Sequence, residues 1–349
     1  MLIDLYSDTA TKPTAAMRRA IAEAEVGDEQ KGEDPTVKRL QESVAELLGK
    51  EAALFLPSGT MCNEIAIKVH TKPGDAILAD RLAHVFGSEA GGPAFHSGVL
   101  VKLIDGERGQ PSAAQVTAAI DRGSPYVAPT RLLCVEQTHN FGGGTVWPLD
   151  RLRASCDAAH AAGLATHLDG ARLLNAVVAS GVAARDFCAP CDSAWLDLSK
   201  GLGAPVGGVL AGSTAFIAEA RRYKHLFGGA MRQAGIIAAA GVYALEHHVA
   251  RLADDHEHAR RLAAGLGDIP GVTVENPESE TNIIFFDIAG TGLAPAAFLD
   301  RITARGVRMG AMGPTRLRAV THLDIGAADI ETALTVVREE LARTTKSGG

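Results

Sequence analysis

The chain has 349 residues, 46% hydrophobic and 21% charged, with a net charge of -7. That balance describes an ordinary soluble globular protein, long enough for about two domains and for a core that needs neither disulfides nor a structural metal. It argues against nucleic acid as a partner, since phosphate binding needs a concentrated basic face. The nearest basic run, Arg221, Arg222 and Lys224, reads as the solvated face of a helix.

In chain order, Met1 to Tyr6 is a short apolar stretch before Ser7-Asp8-Thr9, without the basic start and long apolar segment of a secretory signal. Asp34 caps a helix whose first turn holds Pro35, whose apolar face is Val37, Leu40, Val44 and Leu48, and which Gly49 ends. Ala52 to Leu56 is a buried strand that passes through Pro57-Ser58-Gly59-Thr60 into a helix from about Met61 to His70. Strands are expected at Arg131 to Val135, Leu164 to Leu168 and Trp195 to Leu198, and a helix at Leu149 to Ala162. A long helix follows Met231. Its apolar run, Ala234 to Leu245, is well short of the about 20 residues that cross a bilayer, so no membrane partner is expected.

From roughly Arg251 the pattern becomes helix, strands and helix, with strands at Asn282 to Phe286 and Leu317 to Val320. The alternation points to an α/β chain: a large domain, residues 1–250, with a mostly parallel sheet covered by helices, then a smaller C-terminal α+β domain, residues 251–345. Only a short Ser-Gly-Gly tail at the end is of low complexity. The five cysteines are too few and too odd in number for a disulfide framework, which places the protein in the cytoplasm. Cys188-Ala-Pro-Cys191 has the spacing of half a zinc site, but no second pair exists; two buried thiols on a loop are expected, and no metal.

Functional groups in parallel α/β sheets gather at the carboxyl ends of strands. Ser58-Gly59-Thr60 opens a helix, where free amides and a glycine suit a phosphate, though a plain cap explains them equally well. Gly201-Leu-Gly203 lacks the third glycine of a dinucleotide fingerprint. Asp169 ends a strand, where its carboxylate either caps a helix or pairs with a pyridinium nitrogen. Lys200 lies among glycines and apolar residues, a poorly solvated setting that favours a nucleophilic amine. Arg172, Arg232 and Arg318 are candidates to bind a carboxylate, and His84 and His139 to stack on a ring or move a proton. His247, His248, His256 and His258 read as a solvated helix face.

These residues resemble the low-specificity L-threonine aldolases, pyridoxal-phosphate enzymes of the aspartate-aminotransferase fold type. The resemblance spans nearly the whole chain. It includes Gly32-Glu33-Asp34-Pro35-Thr36-Val37, Pro57-Ser58-Gly59-Thr60, Glu89-Ala90-Gly91-Gly92 and Thr138-His139-Asn140. It continues through His167-Leu168-Asp169-Gly170-Ala171-Arg172, Leu198-Ser199-Lys200-Gly201-Leu202-Gly203, Met231-Arg232-Gln233 and Val320-Thr321-His322-Leu323-Asp324.

The resemblance implies a large-domain sheet of the seven-stranded type and a homotetramer, a dimer of dimers with shared active sites. Lys200 would hold pyridoxal phosphate as a Schiff base, Asp169 would pair with the ring nitrogen, and His84 would stack on the ring. Ser58, Gly59 and Thr60 would take the phosphate, with Arg232 reaching it from a neighbouring subunit. Arg172 would line the cofactor and, with Ser7 and Arg318, hold the carboxylate of an amino-acid substrate; His139 or His84 would take the β-hydroxyl proton. The implied reaction is retro-aldol cleavage to glycine and an aldehyde, with β-elimination or transamination as the runner-up. Three positions depart from the family pattern: Tyr6, Lys31 and Ser88. Lys31 is therefore a candidate to contact the substrate's β-substituent.

Overall fold

The computed structural model describes residues 2–346, with side chains through residue 343. The Ser347-Gly348-Gly349 tail lies outside the described residues. In chain order the strands are β1 (Ile3–Asp4), β2 (Ala52–Leu56), β3 (Ala76–Asp80), β4 (Leu100–Ile104), β5 (Thr130–Glu136), β6 (Ala165–Asp169) and β7 (Ser193–Asp197). They continue with β8 (Gly208–Gly212), β9 (Thr273–Val274), β10 (Ile283–Asp287), β11 (Val307–Arg308), β12 (Gly310–Ala311) and β13 (Arg316–Val320).

The chain forms two compact units, Pro13–Val249 and Met1–Lys12 with Ala250–Gly349. The expected grouping of the N-terminal segment with the large domain is thereby corrected. Ile3 and Asp4 pair in parallel with Val307 and Arg308, and the Leu5 amide and carbonyl bond the backbone of Arg308 and Val320. Pairing between segments about three hundred residues apart leaves no local pattern in the sequence.

The larger unit holds a seven-stranded sheet in the order β2-β8-β7-β6-β5-β3-β4. Strands β3 to β7 are parallel, and β8 runs antiparallel to both β2 and β7. The mostly parallel α/β architecture is borne out. Every residue of β3, β7 and β8 is buried, as expected for a sheet covered on both faces.

The helix Pro35–Leu48 forms as its signals direct. Asp34 Oδ1 accepts the Val37 amide at 2.9 Å, and Gly49 ends the helix in the left-handed region at φ 64°. It buries Val37, Leu40, Val44 and Leu48, each stabilising by about 1.5–3 kcal/mol. The helix Gly59–His70 starts two residues earlier than read, because the Ser58 hydroxyl caps the Met61 amide.

The smaller unit carries an antiparallel sheet in the order β12-β13-β10-β9. Its core includes Leu262, Phe286, Phe298, Ile302, Leu317 and Val337.

Two solvated faces read from the sequence are corrected. His248 and His256 are buried; His248 Nδ1 bonds the Leu202 carbonyl at 2.7 Å, and burial lowers His256 to about 4, where it stays neutral. Lys224 is buried as well, ion-paired to Glu29, whereas Arg221 and Arg222 are exposed. A helical wheel marks these positions as polar, and distant acceptors make their burial tolerable. Cys188 and Cys191 are buried free thiols, with Cys191 Sγ 3.8 Å from that of Cys156.

Candidate active site

Four neighbouring parallel strands of the larger unit end in a carboxylate: Asp80 on β3, Glu136 on β5, Asp169 on β6 and Asp197 on β7. All four side chains are buried. Only Asp169 was singled out from the sequence; each of the others resembles an ordinary helix cap or surface acid when seen alone.

Lys200 lies three residues beyond β7, with Nζ 2.7 Å from Asp197 Oδ2 and its side chain 18% exposed. Asp197 Oδ1 also accepts the Ser199 amide at 2.7 Å and its hydroxyl at 2.9 Å, which pins the turn that carries the lysine. The ammonium stands 5.6 Å from the Trp195 ring centroid. The amine is thus half-buried, held by a counter-ion that its glycine-rich surroundings did not reveal.

Asp169 Oδ1 accepts the Ala171 amide at 3.0 Å, and Oδ2 accepts Asn63 Nδ2 at 2.8 Å. Burial, with the charges of Glu136 and Glu89 adding to it and those of His84 and Lys200 opposing it, pushes the carboxyl up to about 6. Asn63 also donates to Glu89 Oε1 at 2.7 Å, and that oxygen accepts His84 Nδ1–H at 2.7 Å. Burial alone would lower His84, but its hydrogen bond to Glu89 and the charges of Asp169, Glu89 and Glu136 outweigh burial and raise it. The His84 backbone amide is fixed by Glu136 Oε2 at 2.9 Å. Glu136 is itself held below the usual carboxylate range. Burial opposes this, and the nearby His139 ring with the amides of Asn140 and His84 overcomes it.

Among the described residues, Glu64 is buried with no donor at either carboxylate oxygen, and Glu89 Oε2 is likewise without one. Burial first, then Glu89 beside it, pushes Glu64 up to about 8. A proton on Glu64 directed at Glu89 satisfies both groups. Gly92 makes room for this packing, since a Cβ there would strike the Glu64 carboxylate.

The other candidates fall into separate groups. His139 is fully enclosed: Nδ1 accepts the Gly142 amide at 3.1 Å, and Nε2 faces Asp80 and Glu136 at 3.6 and 3.9 Å. Its ring lies between these carboxylates, while the His84 side chain is 35% exposed. Ser58 caps its helix, and the amides of Gly59 and Thr60 are the first two of that helix, with no acceptor inside it. A Cβ on Gly59 would collide with the Trp195 indole, so only glycine lets the helix start approach β7. Arg172 is buried three residues beyond Asp169, its amide on the Gln137 carbonyl at 3.2 Å.

Arg232 is 63% exposed and pairs with Asp28 at 3.1 Å. Lys31 is exposed on the short helix Glu29–Lys31. In the smaller unit Ser7 and Arg318 come together at the N-terminal segment. Arg318 Nη2 donates to the Tyr6 carbonyl at 3.3 Å, and the Ser7 hydroxyl accepts from Thr9.

The larger unit fits pyridoxal phosphate. It offers an amine at Lys200, an enclosed Asp169 whose carboxylate form burial destabilises until a cation meets it, and a helix start with two open amides. A mostly parallel α/β sheet with this strand-end set suits a pyridoxal-phosphate enzyme. The family model described as Beta-eliminating lyase matches residues 4–289. Low-specificity L-threonine aldolase 1 of Arabidopsis thaliana is 39% identical over 345 residues, 97% of this chain and 96% of its own. The low specificity L-threonine aldolase of Escherichia coli K12 is 39% identical over 349 residues, 98% of this chain and all of its own. The fold is shared with Leishmania major threonine aldolase at a TM-score of 0.83 and 20% identity, covering 97% and 99% of the two chains. Sphingomonas wittichii serine palmitoyltransferase shares it at 0.77 and 18%, covering 99% and 88%. The chain belongs to the low-specificity L-threonine aldolase family of carbon–carbon lyases.

Proposed function

We propose that the protein cleaves L-threonine, L-allo-threonine and related β-hydroxy-α-amino acids to glycine and an aldehyde. The observation that carries this reading is that Lys200, held by Asp197, and the enclosed Asp169 lie at the ends of adjacent strands, in a chain whose full-length relatives bear the threonine aldolase name. Pyridoxal phosphate, when bound, supplies an electron sink for the charge left at Cα after Cα–Cβ cleavage.

The residues divide the remaining work. Lys200 would hold the cofactor through its aldehyde, and Asp169 would keep its ring nitrogen protonated. Gly59 and Thr60 amides and the Ser58 turn hold the phosphate. His84 donates Nδ1–H to Glu89, so neutral imidazole keeps its lone pair on Nε2, and this atom takes the β-hydroxyl proton. Arg172 binds the substrate carboxylate; Ser7 and Arg318 are carried in that role, and Lys31 towards the β-substituent, on the resemblance alone. A homotetramer with shared sites, to which Arg232 contributes from a neighbouring subunit, and a cytoplasmic location complete the reading. Among the described residues no helix is long and apolar enough to cross a membrane.

A second reading is β-elimination, which the description of the matching family model favours. Incubation with L-threonine separates the two. Acetaldehyde and glycine in equal amounts support the aldolase; ammonia and a keto acid support the alternative.

A further inference from the structure

Behind Asp169 runs a hydrogen-bond chain whose direction is set by groups that cannot reverse. Trp195 Nε1–H is a donor only, and it meets Asn63 Oδ1 at 2.8 Å. The Asn63 amide NH2 therefore faces the other way, onto Asp169 Oδ2 at 2.8 Å and Glu89 Oε1 at 2.7 Å. His167 Nε2 lies 3.1 Å from the same Oδ1, so this nitrogen carries the ring proton. Burial, and then the nearby His70, holds His167 down at about 3, which leaves its ring neutral and Nδ1 bare. Ser193 Oγ, 2.8 Å away, donates to Nδ1. The hydroxyl proton being used, His70 Nε2–H donates to Ser193 Oγ at 2.8 Å.

Asn63, His167, Ser193 and Trp195 are all buried, and every donor in the sequence His70, Ser193, His167, Asn63 points towards the two carboxylates. A buried asparagine needs partners merely to offset its desolvation. Here, however, both amide protons end on carboxylates from two different segments, one on β6 and one after β3. Chains of this kind polarise each bond in the same sense.

We propose that Asn63 is a positioning residue for the cofactor. Ordered by Trp195 and by the His70–Ser193–His167 chain, it stabilises the ionised form of Asp169 and ties it to the Glu89–His84 pair. The inference rests on the reading of Asp169 as the partner of the pyridoxal ring nitrogen. The charged and titratable groups facing Asp169 are Glu136, Glu89, His84 and Lys200, with the thiols of Cys62 and Cys134 nearby. Of these only Glu89 touches the chain, as the second acceptor of the Asn63 amide.

The test is equilibrium binding of pyridoxal phosphate to the full chain from pH 5 to 9, read by cofactor absorbance, for wild type, Asn63→Leu and Ser193→Ala. Loss of a hydrogen bond to a charged acceptor, with Asp169 at about 6 in wild type, predicts about tenfold weaker binding for Asn63→Leu at pH 5 and about twofold at pH 7. It also moves the low-pH limit of binding up by about one pH unit. Ser193→Ala, which frees the His167 tautomer, moves both in the same direction by less. A uniform loss of affinity with an unmoved pH limit would mean that Asn63 only packs, and overturns the proposal.

Nitrogen NMR of wild-type protein labelled at histidine gives a check that needs no variant. His167 should be neutral with its proton on Nε2 from pH 5 to 8; a proton on Nδ1 or a charged ring overturns the proposal. Threonine cleavage is measured on wild type alone, whereas the pH limit and proton positions are read without substrate, so failure of either reading is seen separately.

Discussion

Replacing Glu64 by glutamine tests whether this buried carboxyl is protonated. Raising it from 4.5 to about 8 is equivalent to on the order of 5 kcal/mol at about 1.36 kcal/mol per pH unit. Relaxation of the surroundings of a buried carboxyl reduces the usable figure to about 2–3 kcal/mol. The sign follows from proton counting. Between pH 4.5 and 8 the unfolded chain has lost this proton and the folded chain keeps it. The folded state therefore binds more protons, and stability falls as pH rises through that window. In the Glu64→Gln variant the amide keeps the donor towards Glu89 and has no proton to lose. In urea unfolding of the two proteins at a series of pH values, the variant should match wild type within about 0.5 kcal/mol at pH 5. Its advantage should then grow to about 2–3 kcal/mol by pH 8. A difference that stays flat from pH 5 to 8 would refute a protonated Glu64.

Lys200→Ala should bind pyridoxal phosphate without the visible absorption of a covalent adduct and release no aldehyde from threonine above background. Lys224→Met breaks a buried ion pair and should cost about 3–5 kcal/mol in urea unfolding, while the double variant Glu29→Gln/Lys224→Met should recover most of that loss. His84 must be neutral to accept a proton, and its surroundings raise it above 6.5, so kcat should rise with pH through that higher value. His84→Asn should lose this limb and fall about 10²–10⁴-fold. His139→Asn should keep the limb and lose about 1–3 kcal/mol of stability instead.

The site was legible in the sequence where chemistry and chain neighbours coincide. Asp169 and Lys200 each sit in a short apolar-then-glycine context that marks a strand end, and the helix Pro35–Leu48 announces itself by cap, proline and stop. The supporting groups were hidden because their roles depend on remote partners. Asn63 lies on the apolar-looking helix Gly59–His70, and its four contacts come from residues 26 to 132 positions away. Asp197 becomes a counter-ion only when the turn after β7 brings Lys200 back over it. Lys224, 195 positions from its partner Glu29, carries the pattern of a solvated face until that acid meets it. Strand β8 is hard to read because glycines stand at both its ends, Gly208 and Gly212, and pairing on both edges completes it.

The concentration of buried acid also determines how cofactor binding should respond to pH. Burial makes the Asp169 carboxylate costly to ionise, and the charges of Glu136 and Glu89 add to that cost. Without a cation at its ring-facing side, Asp169 therefore protonates at about 6. A protonated ring nitrogen needs the ionised carboxylate, so below this value each bound cofactor must first displace a proton from Asp169. The apparent affinity for pyridoxal phosphate should then fall by up to about tenfold for each pH unit below 6. Asp169→Asn has no carboxyl to titrate and should bind weakly with no such limb. Fluorescence titration of both proteins from pH 5 to 8 measures this, and wild-type affinity that is constant across the range would show that Asp169 is already ionised throughout.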